Sequence, residues 1–396
     1  MRTRNIAGAA DDRRDARLLK QPRLGAVAYV VMGFVDIVGV STGYAQRDFD
    51  LSPETAQLIP SMVFIWFFFL SIPIGILQHN YGKRKLLLTG IALTGIGMFI
   101  PFIVYTYITL LGSFILLGVG NTIIQVASNP LLKDVVSDKK FASFMSLSQF
   151  IKALSSLFGP IIVTYMVSLF GDWKLVFLVY GIISILTGIG LGLTSIEESE
   201  SMVKASFSSS IKLLKDPFVL SMVLAIFLIV GLDVGMNTNI QNLLVERFGV
   251  SLENASLGIS IYFTSLMISR FGGAMLLSKI DNYKFLLWSA LSTVLFLVFL
   301  IFSPNPTFTK VSIFLIGLSS GNLFPLVFSL TISQIPNRAN EISGLMIMAV
   351  VGGAVIPPLM GILNSSLGVE SSFGLLVVCS AYIFFSYFLL KNKSTP

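Results

Sequence analysis

The chain has 396 residues, of which 54% are hydrophobic and only 12% charged, and its formal net charge is +7. A soluble domain carries about 25% charged residues, so the composition excludes an ordinary soluble protein and points to a chain that crosses a bilayer many times. A single histidine and a single cysteine exclude zinc clusters and most Ser/His or Cys/His catalytic sites, and no G-x-x-x-x-G-K loop is present to bind ATP; no enzymatic activity, cofactor or metal is expected.

Residues 1–22 form a polar tail in which arginines mix with Asp11, Asp12 and Asp15. The tail has no apolar stretch of the kind found in a cleaved signal peptide. Twelve apolar runs follow: Leu24–Tyr44, Leu58–Leu77, Leu86–Tyr105, Leu110–Leu131, Phe144–Val167 and Leu175–Thr194, then Phe218–Leu243, Leu257–Leu277, Phe285–Phe302, Val311–Ile332, Ile342–Leu363 and Phe373–Leu390. Most approach the ~20 residues that a helix needs to cross the hydrocarbon core. Helices are the fitting form, because lipid leaves no partner for unpaired backbone groups and the alternation of barrel strands is absent.

The longest polar segment after the tail is Ser195–Asp216, with Glu197, Glu198, Glu200, Ser206, Ser208, Ser209 and Ser210. It divides the runs six and six. The predicted organisation is a tail (1–22), a six-helix bundle (23–195), a linker (196–216) and a second six-helix bundle (217–396). This all-α, two-bundle layout is that of many secondary transporters. A faint internal echo supports the repeat: Gly118-Val-Gly-Asn121 in the fourth run and Gly317-Leu-Ser-Ser-Gly-Asn322 in the tenth.

Basic residues set the expected orientation. With both termini on the cytoplasmic side, 21 of the 27 Lys and Arg fall on the inner face; Arg47, Lys174, Arg247 and Lys310 fall outside, and Lys152 and Arg270 lie within runs. That bias predicts inside termini and accounts for the net charge without nucleic acid.

Two charges in the apolar runs stand out, Asp36 in the first and Lys152 in the fifth. A charge at bilayer depth costs ~3 kcal/mol on insertion scales unless paired or wetted, so both are read as functional and, having opposite signs, as a pair. Asp233 in the seventh run and Arg270 in the eighth form a second set, with Arg270 as a structural or gating residue. Amides recur at helical spacing: Asn121, Gln125 and Asn129 on one face of the fourth helix, Asn237 and Gln241 below Asp233 on the seventh, and Gln149 beside Lys152 on the fifth. Amides suit a polyhydroxylated ligand, whose hydroxyls both donate and accept; they also serve as interhelical glue. Phe34, Trp66, Phe150 and Tyr262 offer apolar ring faces. Prolines in or near the runs, among them Pro73, Pro160, Pro357 and Pro358, are expected to kink helices.

The loop Gly75-Ile-Leu-Gln-His-Asn-Tyr-Gly82-Lys83-Arg84-Lys85 resembles the signature loop of the major facilitator superfamily, with His79 and Asn80 where that family has Asp and a basic residue. The resemblance implies an inner gate at Gly75, His79, Gly82, Lys83 and Arg84, where a histidine adds pH sensitivity. Ser343–Gly361, Phe324-Pro325, Gln125-Val-Ala-Ser-Asn129-Pro130, Ser146–Gln149 and Val230-Gly231-Leu-Asp233 resemble helices of the fucose–proton symporter family, which includes glucose/galactose transporters. That resemblance implies a twelve-helix sugar–cation symporter. It also shows three departures. The fourth-helix Glu that takes part in proton coupling in that family is Gln125 here. The first-helix acid, Asp36, sits about one turn early. A fifth-helix Asn is replaced by Lys152.

These departures read as one exchange, a relocated coupling site. The expectation is cation-coupled symport of a monosaccharide or sugar derivative, with Asp36, Lys152 and Asp233 in proton coupling and Asn121, Gln125, Asn129, Gln149, Asn237, Gln241, Tyr262 and Asn322 contacting substrate. The coupling ion is expected to be a proton, with Na+ as the other choice. The chain is expected to be a monomer in a bacterial inner membrane. The competing readings are an exporter of amphipathic compounds, a Na+-coupled sugar symporter and a non-transporting membrane sensor.

Overall fold

The computed structural model describes residues 28–136, 138–193 and 207–394. Among them, twelve helices are long and apolar enough to cross a membrane: α1 (Ala28–Asp48), α2 (Glu54–Gln78), α3 (Lys83–Ile103), α4 (Tyr107–Ser128), α5 (Lys140–Phe170), α6 (Leu175–Gly192), α7 (Pro217–Phe248), α8 (Asn254–Leu276), α9 (Asn282–Ile301), α10 (Pro306–Gln334), α11 (Glu341–Leu367) and α12 (Val369–Lys391). The tail and the linker up to residue 206 lie outside the described residues. The rest of the linker carries a short helix, Phe207–Leu213.

Each helix falls on one of the predicted apolar runs, with local chemistry setting the ends. Asp216 caps α7 by accepting the Phe218 N–H at 2.8 Å, and Pro217 occupies the first turn, where its missing donor costs nothing. Apolar periodicity stops at Leu243, yet α7 continues through Glu246 and Arg247 until Gly249, whose φ of 63° ends it in the left-handed form. Asp281 and Asn305 cap α9 and α10 in the same way.

Three helices are interrupted, at glycines and not at prolines. A 3-10 turn replaces α1 over Gly33–Ile37. The α10 span breaks between Ser320 and Leu323, at Gly321 and Asn322. A 3-10 turn at Ala349–Val351 divides α11, just before Gly352 and Gly353. Pro73, Pro160, Pro357 and Pro358 instead sit inside continuous helix. At Gly352 a Cβ would run into the Phe227 carbonyl, so α11 and α7 touch backbone to backbone at the break.

The two six-helix halves meet along α5 against α8 and α2 against α11. Midway, Ser61 donates to the Ala354 carbonyl at 2.9 Å, and Ser146 donates to Asn322 Oδ1 at 2.8 Å. Both ends of α11 are also tied. At the end bearing the α2–α3 and α10–α11 loops, Ser209 of the linker helix donates to Glu341 Oε1 at 2.5 Å, and Arg338 pairs with the same carboxylate. At the opposite end, Ser365 donates to Glu54 of α2.

That opposite end is pinned within the first half by one carboxylate. Asp48 Oδ2 accepts from Trp173 Nε1 at 2.9 Å and from the Tyr105 hydroxyl at 3.0 Å, while Oδ1 accepts from Arg47 at 2.8 Å. Tyr44 stacks on Trp173 with ring centroids 5.1 Å apart. Burial, and then the Asp48 charge, push the Tyr105 hydroxyl above its ordinary range, so it stays a donor at neutral pH. One acid thus joins the end of α1 to the α3–α4 and α5–α6 connections. Trp173→Phe removes a hydrogen bond to a charged group and should lower unfolding free energy by about 1.5–3 kcal/mol, read from denaturant-induced unfolding of the purified protein.

Candidate functional site

The 3-10 turn in α1 leaves carbonyls that need partners in an apolar setting. Polar side chains of three other helices supply them. Ser155 of α5 donates to the Val30 carbonyl at 2.7 Å. Asn121 of α4 donates to the Met32 carbonyl at 2.9 Å. Asn237 of α7 donates to the Asp36 carbonyl at 3.0 Å. A Cβ on Gly33 would lie 2.6 Å from the Lys152 carbonyl oxygen, so glycine is what lets α1 and α5 approach here.

This fit sets the position of Asp36, whose side chain is 7% exposed. Its Oδ2 accepts from Ser156 at 2.5 Å and faces Lys152 Nζ at 3.5 Å. The aromatic pair Phe34 and Tyr180, stacked at 4.0 Å, packs beside it. Asp36 and Lys152 are therefore in contact, on α1 and α5 of one half.

The second half holds a matching set. Asp233 Oδ1 accepts from the Tyr262 hydroxyl at 2.8 Å, and Oδ2 lies 3.8 Å from Arg270 Nη2. Arg270 is braced from behind: its Nε donates to the Gly321 carbonyl at 3.1 Å, at the α10 break, and Nη1 donates to the Gln149 carbonyl at 3.4 Å. That last contact crosses from α8 to α5.

Both charge pairs line one cavity of about 650 Å³, its open mouth included. Gln125, Gln149 and Ser320 add neutral hydrogen-bonding groups, and Phe64, Phe324 and Leu266 add apolar wall. Among the described residues, no partner engages the Gln149 side-chain amide. Gln125 donates to Asn121 Oδ1 at 2.8 Å, which leaves its own carbonyl oxygen available.

Of the residues predicted to contact substrate, Gln125 and Gln149 line the cavity. Five others do not, and each has at least one polar atom engaged by another protein group. Asn121 and Asn237 hold the α1 turn. Gln241 donates to Ser256 at 2.5 Å, Asn322 donates to the Ser269 carbonyl at 2.6 Å, and the buried Tyr262 is spent on Asp233. The side chains of Asn129 and His79 lie outside the described residues. In the predicted gate, Gly82 turns the chain from α2 to α3 with φ 80°. Arg84 donates to the Gly192 carbonyl at 2.6 Å, tying α3 to α6 within the first half. Lys83 is buried and Gly75 has open space beside it. Ring faces were expected from Phe34, Trp66, Phe150 and Tyr262, but the cavity's aromatics are Phe64 and Phe324. Ser156 and Ser320 also joined the site without a strong sequence signal; helical spacing from Lys152 was the one clue to Ser156.

The two classes of amide should separate in experiment. Asn121→Ala strands the buried Met32 carbonyl and should cost about 1–3 kcal/mol of stability. Gln149→Ala should leave thermal unfolding within about 0.5 kcal/mol and weaken ligand binding instead, as measured by unfolding and by equilibrium binding on the same preparations.

Comparison with known proteins agrees with this fold. A model of the Major Facilitator Superfamily matches residues 24–350 and 244–396. The chain is 25% identical over 386 residues to a glucose/galactose transporter of Brucella abortus, covering 92% of each. It is 22% identical over 378 residues to the L-fucose-proton symporter of Escherichia coli, covering 86% of this chain and 85% of that one. The crystal structure of the transporter FucP in its outward conformation superposes with a TM-score of 0.73 at 19% identity, over 94% of this chain and 99% of that one. The match over most of its length, on twelve membrane-length helices, shows that the chain is an integral membrane protein belonging to the Major Facilitator Superfamily.

Proposed function

We propose that the chain is a proton-coupled symporter of a monosaccharide or sugar derivative, working by alternating access, with Asp36 as proton carrier and Lys152 as its partner. The observation that carries this reading is the 3.5 Å contact between Lys152 and Asp36 in the wall of a cavity that also presents Gln125 and Gln149. The relatives named for glucose, galactose and fucose transport support a sugar as substrate.

The cycle follows from the charges. With Asp36 ionised, its carboxylate faces the Lys152 ammonium and the pair is neutral as a unit. A proton on Asp36 removes the charge that holds Lys152 and leaves the ammonium free to turn to a ligand oxygen. Protonation and substrate binding thus favour each other, which is the linkage that symport requires. A proton is favoured over Na+ as coupling ion, because the ammonium already stands where a metal ion would have to approach the carboxylate. The basic end, with Lys83, Arg84 and Arg338, faces the cytoplasm of a bacterial cell by its positive charge.

Alternating access uses the two ends of α11. The Glu54–Ser365 contact ties the halves at one end, and the Ser209–Glu341 contact ties the linker helix to the other. Opening either exposes the same central cavity, between halves that rock about the α2–α11 and α5–α8 seams.

Asp36→Asn should abolish pH-gradient-driven accumulation of sugar in proteoliposomes while preserving exchange of labelled for unlabelled sugar. Uphill uptake in that variant would remove Asp36 from the coupling step. Lys152→Met, which strands Asp36, should lower stability by about 3–5 kcal/mol, and the Asp36→Asn/Lys152→Gln double variant should recover most of that loss in the same unfolding assay.

A further inference from the structure

We propose that the transported sugar is acidic: it carries one carboxylate, which is received by Lys152 with Arg270 standing opposite. This inference rests on the symport reading of the cavity and narrows its substrate class.

A neutral sugar can be held by amides, hydroxyls and ring faces alone. This cavity adds two fixed cations, and burying a cation is costly unless it is used. Neither is fully used by its own carboxylate. Lys152 sits 3.5 Å from Asp36, and Arg270 sits 3.8 Å from Asp233. Charge-assisted hydrogen bonds close to about 2.7–2.9 Å. Among the described residues, Asp36 is the partner found for the Lys152 ammonium, a group with three donors. Arg270 is held by the Gly321 and Gln149 carbonyls through Nε and Nη1, which fixes its plane while Nη2 faces the cavity group Asp233. Both cations are therefore positioned and still have donors to give.

The charge count points the same way. The cavity holds Asp36, Asp233, Lys152 and Arg270, a sum of zero. Ser156 on α5 donates a hydrogen bond to Asp36; the titratable groups that face it are Lys152 on α5, Tyr180 on α6, Asp233 on α7 and Arg270 on α8. A proton on Asp36 leaves the cavity with one uncompensated positive charge, at Lys152. A monoanion restores the balance and a neutral sugar does not. Proton and monoanionic substrate therefore load as a matched pair, and the loaded cavity carries no net charge through the transition between its two openings. Gln125 and Gln149 remain for the hydroxyls.

The test uses the purified full chain in proteoliposomes with labelled D-galactose, D-glucose, D-galacturonate and D-glucuronate. The uronates should bind about tenfold more tightly than the neutral hexoses, the difference expected of one charged hydrogen bond. Their uptake should be driven by a pH gradient and be unchanged by a potassium–valinomycin potential, because one proton and one monoanion move together. In Lys152→Gln, and in the Asp36→Asn/Lys152→Gln double variant whose pair is neutralised without a stranded charge, the uronate-to-hexose preference should fall to about one. Neutral hexoses binding as tightly as uronates, or a preference that survives in the double variant, would overturn the proposal. Proton-driven, potential-sensitive uptake of a neutral hexose overturns it while leaving the symport reading intact. Failure of both classes to bind overturns the two together.

Discussion

The site depends on how a broken first helix is made tolerable inside a membrane. Between Gly33 and Ile37, α1 tightens into a 3-10 turn of buried residues, and its neighbouring carbonyls need partners within the protein. Ser155, Asn121 and Asn237 reach in from α5, α4 and α7 to satisfy them. Each such bond contributes only modestly, of order 0.6 kcal/mol in membrane bundles, but an unmet carbonyl there costs several times more. The asymmetry fixes the turn, and the turn fixes the direction of Asp36. A regular helix would carry that carboxylate to a different azimuth, away from Lys152.

Much of this was legible in the sequence, for identifiable reasons. Long apolar runs located all twelve spans, because the bilayer imposes a length that a reader can count. The cost of an isolated intramembrane charge marked Asp36 and Lys152 as a candidate pair, and their contact comes from the structure. What spacing conveys is which residues of one helix share a face; it does not say what the face meets. Asn121 and Gln125 are one turn apart on α4, yet the first is consumed by the Met32 carbonyl and the second borders the cavity. Proline positions do not locate the helix breaks, which fall at Gly33 and Gly352, where another backbone comes close, and at Gly321, against the Ser269 side chain. Among 33 phenylalanines, nothing local marks Phe64 and Phe324 as the rings that border the cavity.

The distribution of charge between the halves has a mechanical meaning. Asp36 and Lys152 belong to the first half, Asp233 and Arg270 to the second. Each half therefore carries its compensation with it when the two move. The contacts described above that cross the seam are of a different kind: hydroxyl to carbonyl at Ser61, hydroxyl to amide at Ser146, amide to carbonyl at Asn237, guanidinium to carbonyl at Arg270 and hydroxyl to carboxylate at Ser365. Breaking these strands no bare ion, so the seam can part at far lower cost than if an ion pair bridged it.

The division of α11 at Ala349–Val351 bears on timing. A rigid rod anchored at both ends behaves as a seesaw: lifting one end drives the other down, and both gates answer to a single motion. An articulated rod has a joint, and here the joint lies next to Ala354, the residue whose carbonyl is held by Ser61 of the opposite half. The portion carrying Glu341 and the portion carrying Ser365 can then swing about that held point in turn. In the proposed alternating-access cycle, that joint would allow a stage at which both doors are shut, the stage that keeps a carrier from becoming a pore.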